Sequence, residues 1–224
     1  MKRRQRIKSM SSGNGFVETE QNVRARMNTL LSLLTHRRFI VRAATGIIIG
    51  AVIFFGMWAL SLAWLPEGFF LGLPRPSINS CQQDLWQTLR AFLWNLILTG
   101  SLTAFASLFA LGRVPLGYTV PWMTFAIYGG LLGTNSFSCP NPGDPTAISL
   151  SVLWTRAGFR EIIGYSLIAA AFANQFLWRQ TSFFKMQVER VRSWKQFRFN
   201  LETVFGLCTA IFFLAWAAIV EMMP

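Results

Sequence analysis

Five long apolar stretches constrain what this chain can fold into more than any other feature of its sequence. A helix needs about 20 mainly apolar residues to cross the roughly 30 Å of hydrocarbon in a bilayer. We therefore predict an all-α membrane protein with a bundle of five transmembrane helices in residues 43–224. Residues 1–42 are predicted to form a basic cytoplasmic arm and an amphipathic helix. The predicted spans are residues 43–65, 91–112, 114–135, 159–178 and 203–220.

The composition favours a membrane protein over a nucleic-acid-binding protein. Hydrophobic residues make up 53% of the chain and charged residues only 13%, whereas about a quarter of a typical soluble domain is charged. The formal net charge is +12, but long apolar runs separate the basic residues, so they do not form one phosphate-binding surface. No apolar run directly follows the basic residues 1–8, so we do not expect them to be removed as a signal peptide.

The basic residues are divided unequally between alternate loops. Residues 1–42, Arg113 and residues 179–200 together carry 17 of the 21 Lys and Arg residues, and the other loops carry four. Because cytoplasmic loops of membrane proteins carry an excess of Lys and Arg, we predict a cytoplasmic N-terminus and an external C-terminus. The predicted location is the inner (cell) membrane of a prokaryote.

Two cytoplasmic segments have amphipathic patterns. Residues 23–34 place apolar side chains on one helical face, and residues 179–200 combine large aromatic side chains with basic ones. Such segments bind anionic lipid headgroups with about 1 kcal/mol for each Lys or Arg near the surface, so membrane lipids are predicted partners. The alternatives are a solvated helix that packs on the protein, for the first segment, and a simple positive-inside anchor, for the second.

The cysteines agree with this orientation. Cys81 and Cys139 lie in predicted external loops, and Cys208 lies within the fifth span. Two free thiols are a liability in an oxidising compartment, so a disulfide between Cys81 and Cys139 is predicted. The alternative is two unrelated loop cysteines.

Five polar residues are predicted to share one level near the external face, counted outward from the cytoplasmic ends of helices two and four. One interpretation is a polar clamp that fixes the register of these helices, with Glu161 paired to Arg90. The other is a binding or translocation site, because ionisable residues within membranes are often functional. The predicted cluster consists of Arg90, Asn95, Arg156, Arg160 and Glu161.

The third span contains a helix-packing motif. Gly129 and Gly133 form a GxxxG pair, and small residues at this spacing allow two helix backbones to approach closely. We therefore predict that this face of the third span packs against another helix.

The catalytic and metal-binding repertoire is small. The chain has one histidine, His36, and its three cysteines form no CxxC pair, so no metal site is predicted. It has no P-loop, and Asp84 and Asp144 lie in loops, away from the spans that an intramembrane aspartyl protease would need. We predict no cofactor and no enzymatic activity.

The order of signals in residues 89–178 resembles the stage II sporulation protein M family of integral membrane proteins. A helix start with Phe-Leu-Trp-Asn at 92–95 is followed by a Gly-x-Val-Pro turn at 112–115 and by a glycine-rich helix ending at 129–133. After an external loop, a helix opens with Gly-Phe-Arg-Glu at 158–161.

That last element is similar to a His-Gly-x-x-Glu element of the family. Gly158 and Glu161 match it, whereas Ala157 occupies the place of the histidine, so a role that needs this histidine is not carried over. Asn95 and Glu161 are the carried-over positions. The resemblance implies a five-span protein. In spore formers, the named member belongs to a membrane complex that recruits peptidoglycan-degrading enzymes during engulfment.

These observations predict a non-enzymatic polytopic protein that scaffolds or assembles a larger membrane complex, with membrane-protein partners or further copies of itself. The alternative is a permease-like subunit of a transporter whose ATPase is a separate chain. A transporter needs a polar path toward the cytoplasm. Beyond Asn95, the second span offers mainly Ser101, Thr103 and Ser107 for such a path.

Overall fold

The computed structural model describes residues 28–70, 85–136, 158–181 and 187–221, and most of these residues are helical. This confirms the prediction of a mainly helical chain. A π-helical segment, Asn95–Gly100, joins α2 to α3, so these elements form one continuous helix. After a short helical segment at residues 28–33, the α-helices of the described residues are α1 (Phe39–Trp64), α2 (Leu85–Trp94), α3 (Ser101–Ala106), α4 (Thr119–Gly133), α5 (Gly158–Phe172) and α6 (Leu201–Glu221).

Two helices in the described part of the chain are long and apolar enough to cross a membrane. They are α1, with 26 residues, and Leu201–Val220 of α6, with 20 residues, each with a mean hydropathy of 2.2. Helices α4 and α5 have 15 residues each, which gives a length of about 22 Å. The prediction of five full-length spans is therefore not supported by helix length. Part of the reason is that the start of the third predicted span forms a strand and a 3₁₀ helix, Leu116–Tyr118, instead of α-helix.

A small sheet corrects the all-α prediction. Its strand order is β2-β1-β3-β4, with β1 and β3 parallel and the two outer pairings antiparallel. Gly112, with φ of 59°, allows the tight turn between β1 and β2. Strands β1 and β3 follow α3 and α5, which run toward the same end of the bundle, and this makes them parallel. The strands are β1 (Phe109–Leu111), β2 (Val114–Pro115), β3 (Trp178–Gln180) and β4 (Val188–Arg190).

The two predicted amphipathic segments fold differently from each other. Residues 28–33 are helical and Leu34 is fully buried in the core, so the described part of the first segment packs on the bundle. The described part of the second segment, residues 179–200, contains no α-helix. It contains most of β3, then β4 and a short 3₁₀ helix, Trp194–Gln196. Trp178 stacks on Phe109 at a centroid distance of 5.0 Å, which favours the extended backbone over a helix here.

Helix α5 is the centre of the bundle. Its residues are buried without interruption from Gly164 to Phe172, and α1, α3, α4 and α6 pack against it. The small side chains of Ala169, Ala170 and Ala171 allow these neighbours to approach closely. A helix that is apolar on every side is expected at such a central position.

Helices α1 and α4 form a close pair through glycines on both partners. Added Cβ atoms at Gly129 and Gly133 would clash with the backbone of α1, at the carbonyl groups of Phe54 and Trp58. Thus the predicted packing motif lies against a helix backbone, as GxxxG pairs do in membrane proteins.

The reciprocal pair on α1 is Gly46 and Gly50. The rings of Tyr118 and Phe125 occupy the space that a side chain at these positions would need. The indole nitrogen of Trp122 also donates a 2.9 Å hydrogen bond to the carbonyl oxygen of Gly46. Sequence analysis found only the pair on α4, although Gly46 and Gly50 have the same spacing.

The helices alternate in direction and give the bundle two distinct ends. The sheet end comprises the sheet and the starts of α1, α4 and α6; there the carboxylate of Glu202 accepts a 3.0 Å hydrogen bond from the backbone N–H of Phe39. At the opposite end, the N–H of Gly68 donates a 2.7 Å hydrogen bond to the carbonyl oxygen of Thr134. Among the described residues, those predicted to be cytoplasmic thus lie at one end, and those predicted to be external lie at the other.

Candidate functional site

The candidate site lies near the end of the bundle opposite the sheet and is centred on a contact between Asn95 and Glu161. The side-chain amide of Asn95 donates a 2.6 Å hydrogen bond to a carboxylate oxygen of Glu161. Glu161 is in the first turn of α5, where a negative charge is favoured by the helix dipole. Two members of the predicted polar cluster are therefore in direct contact.

Asn95 is also the first residue of the π-helical segment, which ends at Gly100. Short π segments interrupt the regular turn of an α-helix and are frequent at functional sites. Gly100 is buried, and the position of its missing Cβ lies 3.4 Å from Cδ1 of Ile168 in α5. Both ends of the π segment therefore contact the central helix, α5.

Arg160 adds a second connection to the same turn of α5. It is only 5% exposed, and its guanidinium carbon lies 4.7 Å from the centroid of the Trp216 ring in α6. This is within the distance of a cation–π interaction, which gains strength when the cation is shielded from water. Adjacent residues of α5 thus connect it to two different helices: Glu161 to the π segment and Arg160 to α6.

Arg90 lies away from this contact. It is exposed, and it precedes Asn95 by five residues, which on a regular helix corresponds to a rotation of about 140°. The sequence predicted an ion pair between Arg90 and Glu161, but the structure does not bring these two residues together. Asn95 contacts Glu161 instead. Arg156, Cys81 and Cys139 lie outside the described residues.

A second polar region, which sequence analysis missed, lies at the sheet end around Arg42. This residue is the fourth of α1 and is fully buried. Its Nε donates a 2.8 Å hydrogen bond to the carbonyl oxygen of Ala170, and its Nη1 donates to the carbonyl oxygens of His36 and Arg37 at 2.7 and 2.9 Å. Tyr118 donates from its hydroxyl to the carbonyl oxygen of Arg42 itself. The sequence signal was an arginine directly before an apolar run.

The start of α6 carries further polar contacts at the sheet end. The side-chain oxygen of Asn200 accepts hydrogen bonds from the N–H and hydroxyl of Thr203, at 2.8 and 2.6 Å, and so caps the helix. Gln175, which follows α5, donates a 3.1 Å hydrogen bond to the same hydroxyl. These contacts fix the N-terminus of α6 beside the C-terminus of α5.

The two polar regions are separated by an apolar interior. The hydroxyl groups of Thr103, Ser107 and Ser166 lie between them, and each donates to the carbonyl oxygen four residues earlier in its own helix. Such groups are already satisfied and present little polarity to a passing solute. Among the described residues, no three His, Cys, Asp or Glu side chains are close enough to hold a metal ion.

Comparison with protein families, with curated proteins and with solved structures found no match to this chain. The functional interpretation therefore depends on the contacts of the chain itself. These contacts form two polar clusters, one around Asn95 and Glu161 and one around Arg42, at opposite ends of a closely packed helical bundle.

Proposed function

We propose that this chain is a non-enzymatic, multi-pass membrane protein that acts as a scaffold or assembly component of a larger complex in a prokaryotic inner membrane. Exposed apolar side chains on α1 and α6 support the membrane location, because apolar patches of this extent contact lipid or other proteins. On α1 and α6 they include Ile48, Val52, Phe55, Leu60, Phe205, Ile211, Phe212 and Ile219.

The proposed topology has five helical passes, with the sheet end in the cytoplasm. It is supported by the alternating helix directions and by the charge of the sheet end, since cytoplasmic surfaces are enriched in Lys and Arg. Glu189 pairs with Arg179 there at 3.7 Å and offsets only a small part of this charge. The same surface suits anionic lipid headgroups as partners. Its exposed basic residues are Arg37, Arg38, Arg113, Arg190, Arg192, Lys195 and Arg198.

The observation that carries the scaffold proposal is the apolar interior between the two polar regions. A permease needs a polar route from the level of Glu161 to the sheet end, and the hydroxyl groups of Thr103, Ser107 and Ser166 along that route bond within their own helices. On α5, the buried residues Ala169, Ala170 and Ala171 occupy the part of this route that leads to the sheet end. A rigid helical body with fixed register suits assembly better than alternating access.

The resemblance to the stage II sporulation protein M family gives this proposal a more specific form. The two positions carried over from that family, Asn95 and Glu161, form the 2.6 Å hydrogen bond described above. We infer that this contact fixes the register of the continuous α2–α3 helix against α5 in a protein that assembles an envelope complex. Ala157 stands where the family has a histidine, so no role of that histidine is proposed.

Affinity purification of the tagged chain in mild detergent tests this proposal. We expect an envelope enzyme or assembly factor to co-purify in a fixed ratio, to be lost with Asn95→Leu, and to be retained with Arg90→Gln as the matched control. An ATPase subunit in a fixed ratio would instead support the permease. Purification of the chain alone, without any stoichiometric partner or self-association, would contradict a scaffold.

A further inference from the structure

A shallow apolar groove lies on the outer face of α2 and the π segment. Its volume is about 370 Å³, within the range of about 300–1,000 Å³ that is usual for ligand sites. The residues recur at helical spacing on one face, and Arg90 is the single charged group among them. The groove is lined by Trp86, Leu89, Arg90, Leu93, Trp94, Ile97 and Leu98.

We propose that this groove binds an anionic phospholipid, with one acyl chain along Leu93 and Ile97 and the phosphate at Arg90. Arg90 is exposed, and no described carboxylate pairs with it; the ion pair of the described residues lies at the other end, between Arg179 and Glu189. Arginine binds phosphate through two parallel hydrogen bonds.

The vertical arrangement of the groove matches a phospholipid at the membrane interface. Arg90 lies about 8 Å beyond the level of Asn95, toward the opposite end of the bundle, and Leu98 lies about 12 Å from Arg90 along the axis. The cation thus lies in the outer part of the groove, about 6 Å from Trp86 along the axis, and the apolar side chains continue toward the membrane centre. Trp86, with 71% of its surface exposed, lies on the outer side of Arg90, where tryptophan is favoured beside headgroups.

A helix from a second copy or another protein fits the groove less well. Such a helix would have to bring a carboxylate to Arg90 to avoid burying an unpaired charge, which is costly in an apolar environment. Of the described carboxylates at this end, Glu161 already accepts from Asn95, and Glu67 accepts a 2.8 Å hydrogen bond from Asn135. A lipid phosphate supplies the negative charge without this requirement.

Native mass spectrometry of the purified full chain, titrated with phosphatidylglycerol or phosphatidylcholine, tests the proposal. We expect Arg90→Gln to weaken phosphatidylglycerol binding by about tenfold or more, as loss of a charged hydrogen bond predicts, and to change phosphatidylcholine binding less. Leu93→Trp, which fills the groove, should weaken both lipids. Thermal unfolding in detergent checks that each variant is folded, and Arg90→Lys, which keeps the charge, should retain most of the binding.

Two results would overturn the proposal. Equal losses of phosphatidylglycerol and phosphatidylcholine binding in Arg90→Gln would mean that Arg90 does not select an anionic lipid in the groove. A dimer that Leu93→Trp dissociates would assign the groove to a second copy of the chain. Because lipid binding is read on the purified protein, either result would leave the proposed assembly role to its own test.

Discussion

Arg42 near the start of α1 and Ala170 in the last turn of α5 are joined by a 2.8 Å hydrogen bond from the guanidinium Nε to the backbone carbonyl oxygen. The carbonyl groups in the last turn of a helix have no partner within that helix, and a cation is favoured beside them. Arg42 meets both requirements from another helix. It also binds the two carbonyl groups of His36 and Arg37, so one side chain joins the segment before α1 to the end of the central helix.

We expect Arg42→Met to destabilise the protein strongly. The substitution keeps much of the side-chain length but leaves buried carbonyl oxygens without donors, at about 1–3 kcal/mol for each group that water cannot reach. Arg42→Lys should be intermediate, because an ammonium group cannot reproduce the planar array of donors. Thermal unfolding in detergent measures the effect. Arg38→Met is the matched control, since Arg38 is exposed and its side chain should tolerate replacement. Equal melting temperatures for the two methionine variants would contradict a structural role of Arg42.

A double-mutant cycle tests the contact between Asn95 and Glu161. Hydrogen bonds to charged groups contribute about 1.5–3 kcal/mol, so Asn95→Ala and Glu161→Ala should be coupled by an energy of that order. The readout is the unfolding free energy in mild detergent. The control cycle pairs Glu161→Ala with Arg90→Gln, and we expect additive losses there because Arg90 is on another face of its helix. Coupling only in the control cycle would restore the ion pair that the sequence predicted.

The glycines of the α1–α4 contact should tolerate no side chain. Gly133→Ala would place a methyl group 2.5 Å from the carbonyl oxygen of Trp58, and overpacking of this kind costs about 1–3 kcal/mol. Gly56 is the matched control, because nothing lies within 4 Å of its missing Cβ. Gly56→Ala should be neutral or slightly stabilising, since alanine is the better helix former by about 0.5–1 kcal/mol. Unfolding temperatures in detergent distinguish the two variants. Equal temperatures would mean that Gly133 does not lie at the close contact between α1 and α4.

Reporter fusions test the orientation. A reporter that is active only outside the cytoplasm should be active after Pro224 and inactive after Arg113, because most basic residues are predicted to be cytoplasmic. Arg113 lies in the turn between β1 and β2, so this fusion also reports on the side of the sheet. Activity after Arg113 together with inactivity after Pro224 would reverse the proposed topology.

The local pattern of the sequence was sufficient for several features. The apolar lengths predicted α1 and α6, because a long uncharged run has few stable alternatives to a helix in a membrane. Counting residues along helices was enough to bring Asn95 and Glu161 to the same level, since the rise per residue is nearly constant. The spacing of Gly129 and Gly133 likewise indicated a packing face before its partner was known.

Other features depended on contacts between distant parts of the chain. Whether Arg90 or Asn95 meets Glu161 depends on the rotation of one helix against another, and a π segment alters that rotation. Residues 109–111 form a strand only because residues 178–180 lie beside them, and the burial of Arg42 and Arg160 depends on carbonyl groups or a ring from other helices. The length of a helix and the depth of its residues follow from local geometry. Which face of a helix meets its neighbour, and which strands pair, depend on the packing of the whole bundle, so only the tertiary structure decided them.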